Sequence, residues 1–218
     1  MSSFLPAFII CAALVTISTA STICPNNPAG RDHQIAKFIT LHNARRKALA
    51  AGAIALNGGR KLPRAANMLK MTYDCNLEAT AIAQSARCVT TGSTGLTGTG
   101  ENIAQVNRQL VNSKLGAIEK AISSWWKQGR LFGGSIGRTG IIYEQSHTGT
   151  IPQFAQMAWA SASRLGCGIT KCTTFYSVVC QYNTPPTVNS AIYQRGRPCT
   201  ACPTGSTCAS NRLLCVIR

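Results

Sequence analysis

Residues 165–182, LGCGITKCTTFYSVVCQY, place Leu165, Cys167 and Ile169 on one arm and Tyr176, Val178, Cys180 and Tyr182 on the other, with Lys171 to Thr174 between them. Recurrence at every second position is the spacing of one face of a strand, so the stretch predicts a β-hairpin. It carries three cysteines, Cys167, Cys172 and Cys180, and their fate bears on how the hairpin is held.

Upstream of the hairpin, apolar spacing switches to that of helices. Pro152 suits the first turn of one, with Phe154, Met157 and Ala158 inward. Leu115, Ile118, Ile122, Trp125 and Trp126 mark another, ended by Gly129 and the glycine-rich run from Gly133 to Gly140. Before it, the Thr/Gly/Ser loop from Thr90 to Gly100 delivers Glu101-Asn102-Ile103-Ala104, read as a short extended piece. Asp74 can cap a helix through Leu77, Ala81, Ser85 and Cys88, with Glu78 in its first turn. The first helix runs from Asp32 to Ala51, stopped by Gly52; Ile35, Phe38, Ile39 and Leu49 form its stripe, and His42 and Arg46 fill the intermediate positions. His42 on that face reads as a buried hydrogen-bonding residue in preference to a ligand.

Downstream, after Asn183-Thr184-Pro185-Pro186, the composition turns to Arg, Pro, Thr, Ser and Cys, with four cysteines in the last 20 residues. Such a segment predicts a tail without a core of its own, held by two disulfides that each contribute about 2–4 kcal/mol.

At the other end, Phe4 to Ile17 is almost wholly apolar and is followed by Ser18-Thr19-Ala20. This reads as a signal peptide cut after Ala20, although its first residues lack the usual positive charge; the apolar stretch is shorter than the roughly 20 residues that span a bilayer. Cleavage removes Cys11 and leaves ten cysteines, at positions 24, 75, 88, 167, 172, 180, 199, 202, 208 and 215. In an oxidising compartment they read as five disulfides, whereas in the cytosol Cys199, Cys202, Cys208 and Cys215 would imitate a zinc knuckle. Secretion favours the disulfides.

Twenty-two Lys and Arg face only six acids, for a net charge of +16. That excess attracts anions at long range. The tightest groups are Arg45-Arg46-Lys47, Arg60-Lys61-x-x-Arg64 and Arg195-x-Arg197, and no aromatic ladder or helix-turn-helix accompanies them, so nucleic acid is not an expected partner. Sulfated glycans or an anionic lipid surface suit a secreted chain better, beside the plain alternative of a solvated surface. No Gly-x-Ser-x-Gly elbow or phosphate loop is present.

Four segments stand in a familiar order: Leu41-His42-Asn43-Ala44-Arg45, Gly100-Glu101-Asn102-Ile103, Phe154-Ala155-Gln156-Met157-Ala158-Trp159 and Val179-Cys180-Gln181-Tyr182-Asn183. Together they resemble the CAP superfamily, also called SCP/TAPS, over nearly all of residues 21–218. Ala66-x-Met68-x-Lys70-Met71-x-Tyr73-Asp74-Cys75 and Cys199-x-x-Cys202-Pro203 look like nematode venom-allergen-like, or activation-associated secreted, proteins. The resemblance implies an α+β fold, a three-layer α-β-α sandwich with a small antiparallel sheet. It divides the chain into a signal peptide at 1–20, a CAP domain at 21–186 and a hinge-like, disulfide-rich C-terminal extension at 187–218. It also implies the pairs Cys88–Cys172 and Cys167–Cys180. Cys24 is left with Cys75, and the last four are expected to pair as Cys199–Cys208 and Cys202–Cys215.

Typical members of the family present two His and two Glu in a central cavity, able to hold a divalent cation such as zinc. Carried over one position at a time, the first His falls on Gly92, the first Glu on Glu101, the second Glu on Gln128 and the last His on Gln153. One of the four survives. Glycine supplies no donor and neutral amides are poor zinc ligands, so no metal cofactor is expected, and neither glycine nor glutamine can serve as a general base. His147, six residues before Gln153, is the residue that could restore a site. Glu101 without partners reads as a structural acceptor. The expectation is a secreted, non-enzymatic protein that meets a host or cell-surface protein, of oligomeric state not read from the sequence. The family's alternatives are a sterol at the loop 129–140, with Leu131, Phe132 and Ile136, or a fatty acid between helices.

Overall fold

The hairpin is built from β4 (Arg164–Lys171) and β5 (Phe175–Tyr182), paired antiparallel with Cys167 opposite Cys180. The other edge of β5 is covered along its whole length by β2 (Gly100–Asn107), so the short extended piece expected at 101–104 is a strand of eight residues. β1 (Thr72–Tyr73) adds to β4 in parallel, giving the order β1-β4-β5-β2. This is a computed structural model; it describes residues 21–28, 30–133, 140–210 and 212–218. The expected signal peptide at 1–20 and Ile136 lie outside the described residues.

Helices cover both faces of the sheet. On one lies α2 (Cys75–Ala86), whose first turn is capped by the Asp74 carboxylate, which accepts from the N–H of Asn76 at 2.9 Å and of Leu77 at 3.1 Å. It rests on the backbone of β4 itself: a Cβ at Gly166 would stand 2.0 Å from the Glu78 nitrogen, and one at Gly168 2.4 Å from the Ala81 oxygen. The other face carries α1 (Asp32–Ala50), α3 (Lys114–Lys127) and α5 (Pro152–Ala158), with a one-turn α4 (His147–Thr150) before the last. Phe38, Leu49, Ile118, Ile122, Trp125, Phe154 and Met157 fill the core between them and the sheet. The expected α-β-α sandwich is therefore present, with one parallel strand in its sheet.

Five disulfides join Cys24–Cys75, Cys88–Cys172, Cys167–Cys180, Cys199–Cys208 and Cys202–Cys215. The first two hold α2 at both ends. The expected division after residue 186 is not where the packing divides. β6 (Ser190–Gln194) pairs with β3 (Gly140–Tyr143), and its Ile192 and Tyr193 lie in the main core. Farther on, β7 (Ser206–Cys208) and β8 (Cys215–Ile217) form a hairpin. It is stitched to the body where Lys70 donates to the Cys215 carbonyl and Cys215 donates to that of Met68. Two apolar side chains in a polar segment are enough to draw it into the sandwich, because each fully buried one stabilises by about 1.5–3 kcal/mol.

Candidate functional site

The four positions carried over from the family fall into two neighbouring pairs. Glu101, on β2, receives the loop 90–100: its carboxylate accepts from the Ser93 N–H at 2.8 Å, the Ser93 hydroxyl at 2.7 Å and the Gln181 amide at 2.8 Å. A Cβ on Gly92 would sit 3.4 Å from Glu101 Oε1, so the glycine brings backbone, and no ligand atom, to the carboxylate. Gln128 follows α3 in a 3₁₀ turn, Gln128–Leu131. Its Nε2 donates to Gln153 Oε1 at 2.6 Å, while its Oε1 accepts from the backbone N–H of Gln153 and Phe154 at 3.0 and 3.1 Å. The residue preceding α5, Ile151, has no side chain with which to cap it. Gln128 therefore caps α5 from another segment, satisfying donors that a helix start leaves open. Gln153 completes the set by donating its Nε2 to the Ile103 carbonyl. Every polar atom that could have faced an ion is committed to a protein partner, and the residues present do not fit a divalent metal.

Beneath these positions the motif residues form one buried network. His42 Nδ1 lies 2.8 Å from the Phe38 carbonyl, which can only accept, so this nitrogen carries the proton and Nε2 accepts from the Tyr182 hydroxyl at 2.8 Å. The same hydroxyl oxygen accepts from Asn102, whose amide also donates to the Gln153 carbonyl. Burial pushes the His42 imidazole down to about 4, with the Arg46 charge acting in the same direction. His42 is thus a neutral structural link, as its place on the helix stripe suggests. Its pKa in the unfolded chain, near 6.5, is the higher of the two, so the unfolded state takes up the proton first as pH falls. Stability is expected to be insensitive to this group above pH 6.5 and to drop by about 3 kcal/mol as pH falls to 4. Urea unfolding of wild type and His42→Gln across that range checks it; a wild-type slope no steeper than the variant's would overturn the neutral assignment.

Most of the remaining motif residues make packing or hydrogen-bond contacts within the fold. Gln156 donates to the Thr184 carbonyl and lies on Gly100, where a Cβ would come within 1.7 Å of its Oε1. Phe154 meets Trp126 edge-on at 4.9 Å, and Trp159 meets Tyr143. Asn43 pairs with both backbone groups of Met71, each at 2.9 Å. Arg45 lines a surface cleft with Trp126 and Arg130. The buried arginine is its neighbour Arg46, fully enclosed, whose five N–H groups reach the carbonyls of Leu69, Met157, Trp159, Ala160 and Ala162 at 2.8–3.1 Å. Burial pulls its guanidinium down to about 9. A cation on an otherwise apolar helix stripe was the available signal for this role.

Among the described residues, His147 is not part of any cluster of three or more His, Cys, Asp or Glu ligand atoms. It is buried against the Phe132 and Tyr143 rings, and its Nδ1 accepts from the Glu144 N–H at 2.8 Å. Among the described residues, the group whose His, Cys, Asp or Glu atoms converge as ligands is Cys199, Cys202 and Cys215, and all three are in disulfides. That answers the zinc-knuckle alternative. In the loop 129–140, Phe132 is buried and Leu131 is exposed.

A cystine-bridged α-β-α sandwich laid over a His42–Tyr182–Asn102 network defines the class of this protein. The chain belongs to the cysteine-rich secretory protein family, CAP, whose family model matches residues 39–182. It is 35% identical over 198 residues to the Ancylostoma secreted protein of Ancylostoma caninum, covering 88% of this chain and 46% of that protein; the chain thus spans about half the length of that relative. With hookworm platelet inhibitor 1 of the same species it shares 27% identity over 222 residues, 99% of each chain. The crystal structure of NaASP2 with Zn2+ matches with a TM-score of 0.74 at 30% identity, covering 88% of this chain and 99% of that one.

Proposed function

We propose that this chain is a secreted, non-enzymatic CAP-domain protein that acts by binding a host or cell-surface protein, and that its family metal position has been converted to structural hydrogen bonding. The observation that carries the second part is the closed amide pair Gln128–Gln153, with Gly92 opposite Glu101. A glycine and two amides cannot serve as a general base, and the Glu101 carboxylate already accepts three hydrogen bonds. Ten paired cysteines support an oxidising compartment. Similarity along the full length to a platelet inhibitor supports a host-directed role.

The test is a zinc titration followed by calorimetry. Wild type is expected to show no saturable uptake, and the triple variant Gly92→His, Gln128→Glu, Gln153→His to take up one equivalent, because imidazole and carboxylate replace a hydrogen and two amides around the retained Glu101. Stoichiometric zinc on wild type, lost in Glu101→Ala, would overturn the reading. For the partner, saturable binding of labelled protein to host cells, competed by unlabelled protein and lost after surface proteolysis, is the expected outcome.

A further inference from the structure

Two of the basic groups that stand far apart in the sequence meet in space. Ala65 bridges Arg195 in antiparallel register and Gly196 donates to the Arg64 carbonyl, which brings Arg64 and Arg197 to the same edge of the molecule. The C-terminal hairpin turns back beside them, where Arg212 donates its N–H to the Ala209 carbonyl. The result is an open groove of about 750 Å3 lined by Arg64, Arg197 and Arg212, with Thr200, Ser210 and the Cys199–Cys208 bridge along it. All three arginines are exposed, and none joins an ion pair among the described residues.

No acid lines the groove. Asp74, Glu78 and Glu119 are held by Arg164, Arg31 and Lys37, Asp32 by Ser21 and Thr22, and Glu101 by Ser93 and Gln181. The walls are also set in advance. Cys199 and Arg212, both on the rim, have left-handed backbone, with φ of 65° and 54°, a conformation that costs non-glycine residues about 1–3 kcal/mol and persists only where the surroundings impose it. Here Cys199 is bridged to Cys208, and Arg212 lies in a turn closed by the backbone bonds Arg212 N–H to Ala209 and Ala209 N–H to Leu214, between the bridged Cys208 and Cys215. Three cations fixed in place are better placed to bind than three on a loose tail, because less ordering remains to be done on association.

We propose that this groove is a binding site for a linear sulfated glycan, with guanidinium forks taking successive sulfates. A planar guanidinium matches the oxygens of sulfate as it does those of phosphate, donating two parallel N–H bonds. The groove offers hydroxyl groups, from Thr200 and Ser210, beside the cations. It has no large apolar side chain in its lining to enter a bilayer, so an extended polyanion fits it better than a membrane surface. The choice of sulfated sugar rests on the extracellular reading above, while the experiment uses purified protein, so that this site can fail without affecting that reading.

The experiment measures binding of a heparin-derived dodecasaccharide to the full disulfide-bonded chain at several salt concentrations. A groove variant, Arg64→Ser, Arg197→Ser, Arg212→Ser, is compared with a variant of equal charge loss on the helical face, Lys120→Ser, Lys127→Ser, Arg130→Ser, once both melt as wild type does. The groove variant is expected to lose about tenfold or more in affinity and about one unit of salt slope per arginine, by analogy with other polyanions. The control is expected to lose less than about threefold. Equal losses would overturn the proposal and leave only diffuse charge. Binding to phosphatidylserine vesicles that depends on the groove more strongly than oligosaccharide binding does would overturn it in favour of a lipid surface.

Discussion

Gly168→Val is expected to prevent accumulation of the native five-disulfide protein, and Gly168→Ala to lower its stability by about 4 kcal/mol or more. At this position a Cβ would lie 2.4 Å from the Ala81 oxygen and 2.6 Å from Ile82 Cα, and these are backbone atoms that no change of rotamer can move. The helix cannot retreat readily, because Cys24–Cys75 and Cys88–Cys172 anchor its two ends. Overpacking of well-filled interiors already costs about 1–3 kcal/mol where side chains can adjust. Gly149→Ala, at a site with open space around it, is the control and is expected to be neutral. Yield of the oxidised form and urea unfolding decide the matter, and a Gly168→Ala midpoint equal to wild type would show that α2 does not rest on β4 in this way.

The second large effect is at Arg46. Replacement by methionine keeps much of the volume but removes every donor from five carbonyl oxygens. Those of Trp159 and Ala160 keep a backbone donor each, from Ala162 and Leu69, which leaves the carbonyls of Leu69, Met157 and Ala162 to be accounted for. At about 1–3 kcal/mol for each buried group left unpaired, the loss is comparable with the whole stability of an ordinary domain. Exchanging a buried ion pair for apolar side chains is often harmless, but here the partners are backbone and cannot be exchanged. Arg46→Lys is expected to recover only part of the loss, since a single ammonium cannot reach five acceptors spread around a planar fork. Chemical denaturation with the disulfides intact measures both, and an Arg46→Met protein within about 1 kcal/mol of wild type would refute the assignment.

Much of the framework can be read directly from local pattern. The alternation in 165–182 specifies the hairpin, Asp74 the start of α2 and Pro152 that of α5, because strand period, helix capping and the proline ring act within a few residues of chain. His42 falls in the same class: its position on the stripe of α1 is enough to bury it. Resemblance carries the reading further, to the sandwich and to the cysteine partners, which local physics leaves undetermined. The segment 190–194 escapes such a reading, since its short apolar run Ala191–Tyr193 is bounded by Ser, Gln and Arg and shows no alternation, and pairing with β3 makes a strand of it.

The hairpin with which the fold begins shows where the division lies. Alternation and cysteine content were determined by the sequence alone, for these depend on neighbours along the chain. That Gly166 and Gly168 on its other face receive the backbone of α2 was decided by the tertiary structure. So were the capping of α5 by Gln128, the five carbonyls around Arg46 and the meeting of Arg64, Arg197 and Arg212 in one groove. Each of these joins groups separated by 15 residues or more, and no local preference encodes such proximity; it follows only once the burial of the common core has fixed how the layers stack.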